Sequence, residues 1–277
     1  MTQTRKTIVI TGASDGIGAA AARKLHALGH EVVVVGRCAD KTHLVADALA
    51  VSYHVVDFAR LCEVRRLAAK LEAAHPRIDV LVNNAGGVFG LGKTRDGFEQ
   101  AFQINHLAPF LLTKLLMDKL VASRASVIQT ASRAARVVGK GVVEELEELE
   151  QTKASSPLLA SYAYAKFFNI LFTQELHRRF GASGISSAAF HPGVVASNFA
   201  KSMGFSIWGL AFNPLTRLFM STPEKGAAQL VWLATSTPGQ DWESGTYYER
   251  FQPVRLKRAE DAALARKLWE SSEALLL

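Results

Sequence analysis

Short apolar runs rich in Val and Ile alternate along this chain with longer stretches whose apolar residues recur every three or four positions. The first pattern fits strands buried on both faces, the second fits helices that bury one stripe. Strands are predicted at Lys6–Thr11, Glu31–Gly36, Ser52–Asp57, Ile78–Asn83, Ser126–Thr130, Ile185–Phe190 and Gly245–Tyr248. Helices are predicted at Ile17–Leu28, Lys41–Ala50, Leu61–Ala74, Gly97–Leu120, Ser161–Phe180, Glu224–Ala234 and Ala259–Ala274. Such alternation, joined by right-handed crossovers, predicts an α/β fold: a doubly wound parallel sheet with helices on both faces. A length of 277 residues suits one domain over 1–277.

Two stretches break the rhythm. Residues 142–157 carry the run Glu144-Glu145-Leu146-Glu147-Glu148-Leu149-Glu150 and are expected to be an acidic surface insertion. Residues 203–220 hold Phe205, Trp208, Leu210, Phe212 and Phe219, interrupted by Pro214 and Arg217. That interruption argues against a transmembrane helix. A lid over an apolar pocket is expected instead, which points to a hydrophobic small-molecule substrate.

Composition narrows the function classes. A hydrophobic share of 49% and a charged share of 21% exclude a disordered chain. The formal net charge is +7, but Lys and Arg are scattered and no recognition motif accompanies them. Nucleic-acid binding is therefore not expected. Cys38 and Cys62 are the only cysteines, and neither stands in a CxxC pair. Neither a disulfide framework nor a metal site is expected, and a reducing compartment fits. The apolar run after Lys6 is too short for a signal peptide, so a cytoplasmic location is expected.

Candidate chemistry begins at the first strand–helix junction, Thr11-Gly12-Ala13-Ser14-Asp15-Gly16-Ile17-Gly18. Gly12 permits a tight turn, Gly16 lets backbone approach a pyrophosphate, and Gly18 lets the helix pack on the sheet. The helix N-terminus offers free N–H groups and partial positive charge to the anion. The second strand ends at Gly36-Arg37 with no acid until Asp40. A base there suits the 2′-phosphate of NADP(H) better than the free ribose of NAD(H). Asp15 opposes this reading, because the turn would favour a second base.

Tyr162 and Lys166 are four apart on a predicted helix and share a face. A phenol titrates near 10 in water, and a neighbouring ammonium is expected to bring it toward neutrality for acid–base work.

Together these motifs resemble the compact short-chain dehydrogenase/reductase family. The resemblance spans nearly the whole chain: the Gly12–Gly18 turn, Asp57, Asn83-Asn84-Ala85-Gly86, Asn105, Ser132, the Tyr162/Lys166 pair and Pro192-Gly193, in the family's order. It implies that Tyr162 is general acid in reduction and general base in oxidation. Lys166 would lower the phenol's pKa and bind the nicotinamide ribose. Ser132 would bond the substrate oxygen, and Asn105 would position a water linking Lys166 to solvent. The cofactor would meet Gly12, Ser14, Asp15, Gly16, Ile17 and Gly18 in the turn. It would meet Arg37, Asp57 and Phe58 at the adenosine, and Asn84, Ala85 and Gly86 near the ribose. Pro192, Gly193, Val195 and Ser197 would hold the nicotinamide. Thr130 and Tyr164 are rival hydroxyls, and His106 and His191 are read as structural.

A narrower similarity, in the Ser132–Tyr162 insertion, the Phe167–Leu176 run and the tail, is to retinol dehydrogenases and their bacterial relatives. The membrane-anchoring leader of many of those enzymes has no counterpart, so a soluble relative is expected. The reading is an NADP(H)-dependent oxidoreductase for a carbonyl or alcohol, with a homo-oligomer allowed. The alternative is a non-catalytic NADP(H)-binding regulator on the same fold.

Overall fold

The computed structural model describes residues 4–90, 92–138, 158–193 and 221–276. The insertion expected at 142–157 and the lid expected at 203–220 lie outside the described residues.

Strands β1 (Thr7–Thr11), β2 (Glu31–Gly36), β3 (Tyr53–Val55), β4 (Val80–Asn83), β5 (Ser126–Thr130), β6 (Ser186–His191), β7 (Thr246–Glu249) and β8 (Gln252–Val254) form one sheet. Its order is β3-β2-β1-β4-β5-β6-β7-β8, parallel from β3 through β7. The order reverses direction at β1/β4, the switch point where ligands bind beyond the strand ends in this architecture. Strand side chains alternate between faces, so each central strand feeds two cores. Val9, Val33, Leu81 and Val127 meet α3 (Leu61–Ala74) and α5 (Ala108–Leu115). Ile8, Ile10, Val34, Val82 and Ile128 meet α1 (Gly16–Ala27) and α8 (Pro223–Thr235). Helix α2 (Ala39–Leu49) follows β2, and α7 (Leu158–Phe180) and α9 (Ala262–Ala274) contribute to a third apolar cluster.

Three features depart from the sequence reading. The single helix expected over Gly97–Leu120 is broken into α4 (Gln100–Phe102), a π turn at Gln103–Leu107, α5 and α6 (Met117–Ser123). Pro109 is the local reason for the π turn, though not for the later break at Leu116. It lacks the N–H that would bond the Asn105 carbonyl four residues back, and the wider turn accommodates its ring. The last helix starts at Ala262, where the Asp261 carboxylate caps the Ala263 and Leu264 N–H groups. Strand β8 was not foreseen; it returns antiparallel to β7 through Arg250 and Phe251, both at positive φ.

Candidate active site

The segments after β1, β2, β3, β4, β5 and β6 surround one cavity of about 710 Å³. Gly12, Ser14, Asp15, Gly16, Ile17 and Gly18 form its floor at the entrance to α1. The Gly18 position is sterically fixed, since a Cβ there would lie 2.3 Å from the Gly12 carbonyl oxygen. Helix α1 therefore approaches the turn closely, with its N-terminal end at the cavity.

Asp15 has a role that sequence reasoning did not supply. Its carboxylate accepts the Gly16 N–H at 2.7 Å and binds Lys41 Nζ at 2.6 Å. Lys41 stands beside Arg37 in the cavity wall. The base missing from the turn is thus provided by the first turn of α2, and the hydrogen bond and charge of Asp15 hold the ammonium's pKa above its ordinary value. The spacing of Arg37 and Lys41, four apart at a strand–helix junction, was the available signal. Asp57 and Phe58 complete this end; the Asp57 carboxylate accepts the Ala59 N–H at 3.0 Å.

In the middle of the cavity, Asn84 is mainly a structural tie. Its Nδ2 donates to the Thr11 carbonyl at 2.9 Å, and its Oδ1 accepts the Thr130 hydroxyl at 3.2 Å. That bond occupies the hydroxyl of one rival to Ser132. Ala85 and Gly86 line the same wall. A Cβ on Gly86 would fall 2.4 Å from Asn105 Oδ1 and 3.0 Å from Lys166 Nζ, so only glycine lets these two polar groups meet the loop. Asn105 sits buried in the π turn, where its amide bonds both the N–H and the carbonyl of Gly87 at 3.0 Å. It does not itself line the cavity.

At the far end, Ser132, Tyr162 and Lys166 converge, carried by the loop after β5 and by α7. Ser132 caps a 3-10 turn at Arg133–Val137, with its Oγ accepting the Ala134 N–H at 3.2 Å. Lys166 is buried, with Nζ donating to the Thr130 carbonyl at 2.9 Å and lying 5.7 Å from the Tyr162 ring centroid. Tyr164 does not line the cavity; its ring lies 6.4 Å from that of Phe168.

The electrostatics correct one expectation. The Tyr162 phenol is pushed up to about 12 rather than down, because burial penalises phenolate and a hydrogen bond from Ser132 only partly offsets this. Burial also lowers Lys166 to about 7, so the ammonium is only partly charged at neutral pH and favours phenolate less than a fully charged one would. Both groups share one dry pocket, and the sequence cannot reveal how dry.

Pro192 and Gly193 close this end, joined by His191, which was read as structural. His191 accepts the Arg133 N–H at Nδ1 (3.3 Å), and burial lowers it to about 4. His106 is fully buried, bonded to Ser272 at 2.9 Å and stacked on Phe102, away from the cavity wall. Val195 and Ser197 lie outside the described residues.

The donor set fits a dinucleotide. An ammonium has three N–H bonds, and Lys166 commits one to Thr130. The others suit sugar hydroxyls, the α1 N-terminus suits a pyrophosphate, and Arg37 and the Asp15-bound Lys41 line the opposite end. Among the described residues, no group of three or more His, Cys, Asp or Glu side chains is arranged to hold a metal ion. No described helix is long and apolar enough to cross a membrane.

Known proteins share this arrangement. Residues 6–144 match the family model described as short chain dehydrogenase. The chain is 37% identical to the "Putative daunorubicin C-13 ketoreductase" of Streptomyces sp. (strain C5), across 97% of this chain and 92% of that one. It is 35% identical to retinol dehydrogenase 13 of Homo sapiens, across 98% of this chain and 84% of the relative. A crystal structure of a Mycobacterium paratuberculosis protein superposes with a TM-score of 0.76 at 31% identity, covering 98% and 93% of the two chains. With fold order, motif placement and sequence in agreement, this chain belongs to the short-chain dehydrogenase family, as an oxidoreductase of the retinol-dehydrogenase type that acts on alcohol- or ketone-type groups with a nicotinamide cofactor.

Proposed function

We propose that the protein interconverts a carbonyl and an alcohol on a hydrophobic small molecule, using NADP(H). The observation that carries this reading is the convergence of Ser132, Tyr162 and Lys166 at one end of a cavity whose other end presents Arg37 and Lys41, with Asp15 and Asp57 in the same lining. A nicotinamide bound here supplies the hydride in reduction and accepts it in oxidation.

The chain's own residues handle the proton and the charge. With its pKa held high, Tyr162 stays a neutral phenol at physiological pH and is ready to donate to a developing alkoxide. Ser132 is the second donor to the same oxygen, preorganised by its bond from Ala134 N–H. Lys166 binds ribose hydroxyls, and gains charge when an anionic ligand and its own hydrogen bonds offset its burial. Asn105 supports Lys166 indirectly, by fixing the Gly86-Gly87 backbone against it. Asn84, Ala85 and Gly86 line the path between the two ends, and Pro192, Gly193, Val195 and Ser197 hold the nicotinamide side. Gly12 to Gly18 receive the pyrophosphate, and Asp57 and Phe58 meet the adenine.

Preference for the phosphorylated cofactor is supported by Arg37 and Lys41 together. Asp15 neutralises Lys41 in this structure, and a 2′-phosphate offers the same ammonium a stronger anion. A panel of aldehydes and ketones, followed by NADPH absorbance, tests the activity. The expected result is turnover of apolar carbonyls with NADPH favoured over NADH, and Arg37→Asp should reverse that preference by adding repulsion. Equal use of both cofactors by the unaltered protein would remove the NADP(H) assignment.

A further inference from the structure

Glu249, the last residue of β7, is 4% exposed yet carries three donors. Arg133 Nε reaches its Oε2 at 2.7 Å, Arg136 Nε reaches Oε1 at 2.8 Å, and the Tyr247 hydroxyl reaches Oε1 at 3.0 Å. Burial works to raise the carboxyl's pKa, but the bonds from Arg133, Arg136 and Tyr247 outweigh it and keep the group ionised.

The two arginines belong to the 3-10 turn that starts directly after Ser132. A 3-10 helix has three residues per turn, so residues three apart eclipse one another. Arg133 and Arg136 therefore leave the turn on one side and converge on one carboxylate. A second attachment lies one strand away. His191, the register partner of Glu249 on β6, accepts the Arg133 N–H. The same turn presents the Ala134 N–H to Ser132 Oγ and so fixes where that hydroxyl can point.

We infer that Glu249 is a positioning residue for Ser132: through Arg133 and Arg136 it anchors the turn that aims the serine hydroxyl at the reacting oxygen. This rests on the reading of Ser132 as a substrate-oxygen donor. Glu249 is not among the described residues that line the cavity; it acts through the turn. Its carboxylate is matched to two guanidiniums, and an amide in its place can serve only one of them while turning an N–H toward the other.

Glu249→Gln, Arg136→Gln and Ser132→Ala are each assayed for NADPH binding by fluorescence, for kcat and KM, and for the pH profile of alcohol oxidation. Glu249→Gln should bind NADPH as the unaltered protein does, while kcat falls at least about tenfold, the scale on which misplacing a reacting group acts. The rising limb of its pH profile should move to higher pH, as in Ser132→Ala, because losing the Ser132 bond leaves the Tyr162 phenol harder to ionise. Arg136→Gln, at a half-exposed site, should show a smaller effect of the same sign. It decides the matter should Glu249→Gln fail to fold. Unchanged kcat and pH limb in the folded variants, or loss of NADPH binding in proportion to activity, would overturn the positioning role while leaving Ser132 intact. Full activity in Ser132→Ala would instead overturn the site assignment beneath it.

Discussion

At the residue scale, the site is governed by what burial does to two titratable groups. Tyr162 is held more firmly in the neutral form it already has in water, whereas Lys166 is driven toward the uncharged form it does not adopt there at neutral pH. Tyr162→Phe keeps the ring and removes only the proton. It should lower kcat by about a hundredfold or more, the range attributed to general acid–base catalysis, with NADPH affinity little changed. Lys166→Ala should instead damage cofactor binding and turnover together, because the ammonium has two tasks. Steady-state rates paired with a fluorescence titration of NADPH separate the two outcomes. Near-normal turnover in Tyr162→Phe would shift attention to Tyr164. Thr130 is a weaker rival, since its hydroxyl is already given to Asn84.

At the element scale, α9 behaves as a latch on the rest of the fold. Trp269 is buried against Phe172 (5.6 Å, stacked) and Phe110 (5.0 Å, edge-on), with the Arg179 guanidinium 4.9 Å from its ring. These partners belong to α7 and α5, whose neighbouring turns bear Lys166 and Asn105. Trp269→Ala should cost about 3–5 kcal/mol, the usual range for emptying a large aromatic site. Urea denaturation would measure the loss, and a cost under about 1 kcal/mol would show that the cluster repacks. Element positions were largely legible in the sequence, because Val- and Ile-rich runs and the 3.6-residue period both report burial directly. The broken helix around Asn105 was less legible: the apolar spacing runs straight through Pro109, and the missing N–H matters only once the backbone path is specified. Strand β8 carries too few apolar residues to signal itself.

At the scale of the whole molecule, buried histidines should make stability depend on pH. Burial lowers His106 to about 3 and His191 to about 4, from an ordinary value of 6.5. Between those limits the unfolded chain binds protons that the folded chain refuses. Stability is therefore full above about pH 6.5 and falls as the pH drops toward the folded values. Each histidine can contribute up to about 1.4 kcal/mol per pH unit inside that window. His106→Phe should flatten the decline between pH 7 and pH 5 when unfolding free energies are compared; an unchanged slope would place the acid sensitivity in other groups.

The sequence by itself determined the class of fold, most of the strand–helix order and many of the residues around the cavity, because periodicity and motif order are properties of the chain alone. Thus the Gly12–Gly18 turn, Arg37, Asn84 to Gly86, Ser132, Tyr162, Lys166, Pro192 and Gly193 are legible as motifs in the chain, and they line one cavity. Only the tertiary structure decided which charges meet and how dry each one is. The Asp15–Lys41 pair joins residues 26 apart, and the Glu249 clamp joins residues more than 110 apart. The sign of the Tyr162 shift followed suit, since a phenol's ionisation depends on the water excluded around it, and that exclusion is a property of packing rather than of neighbours in sequence.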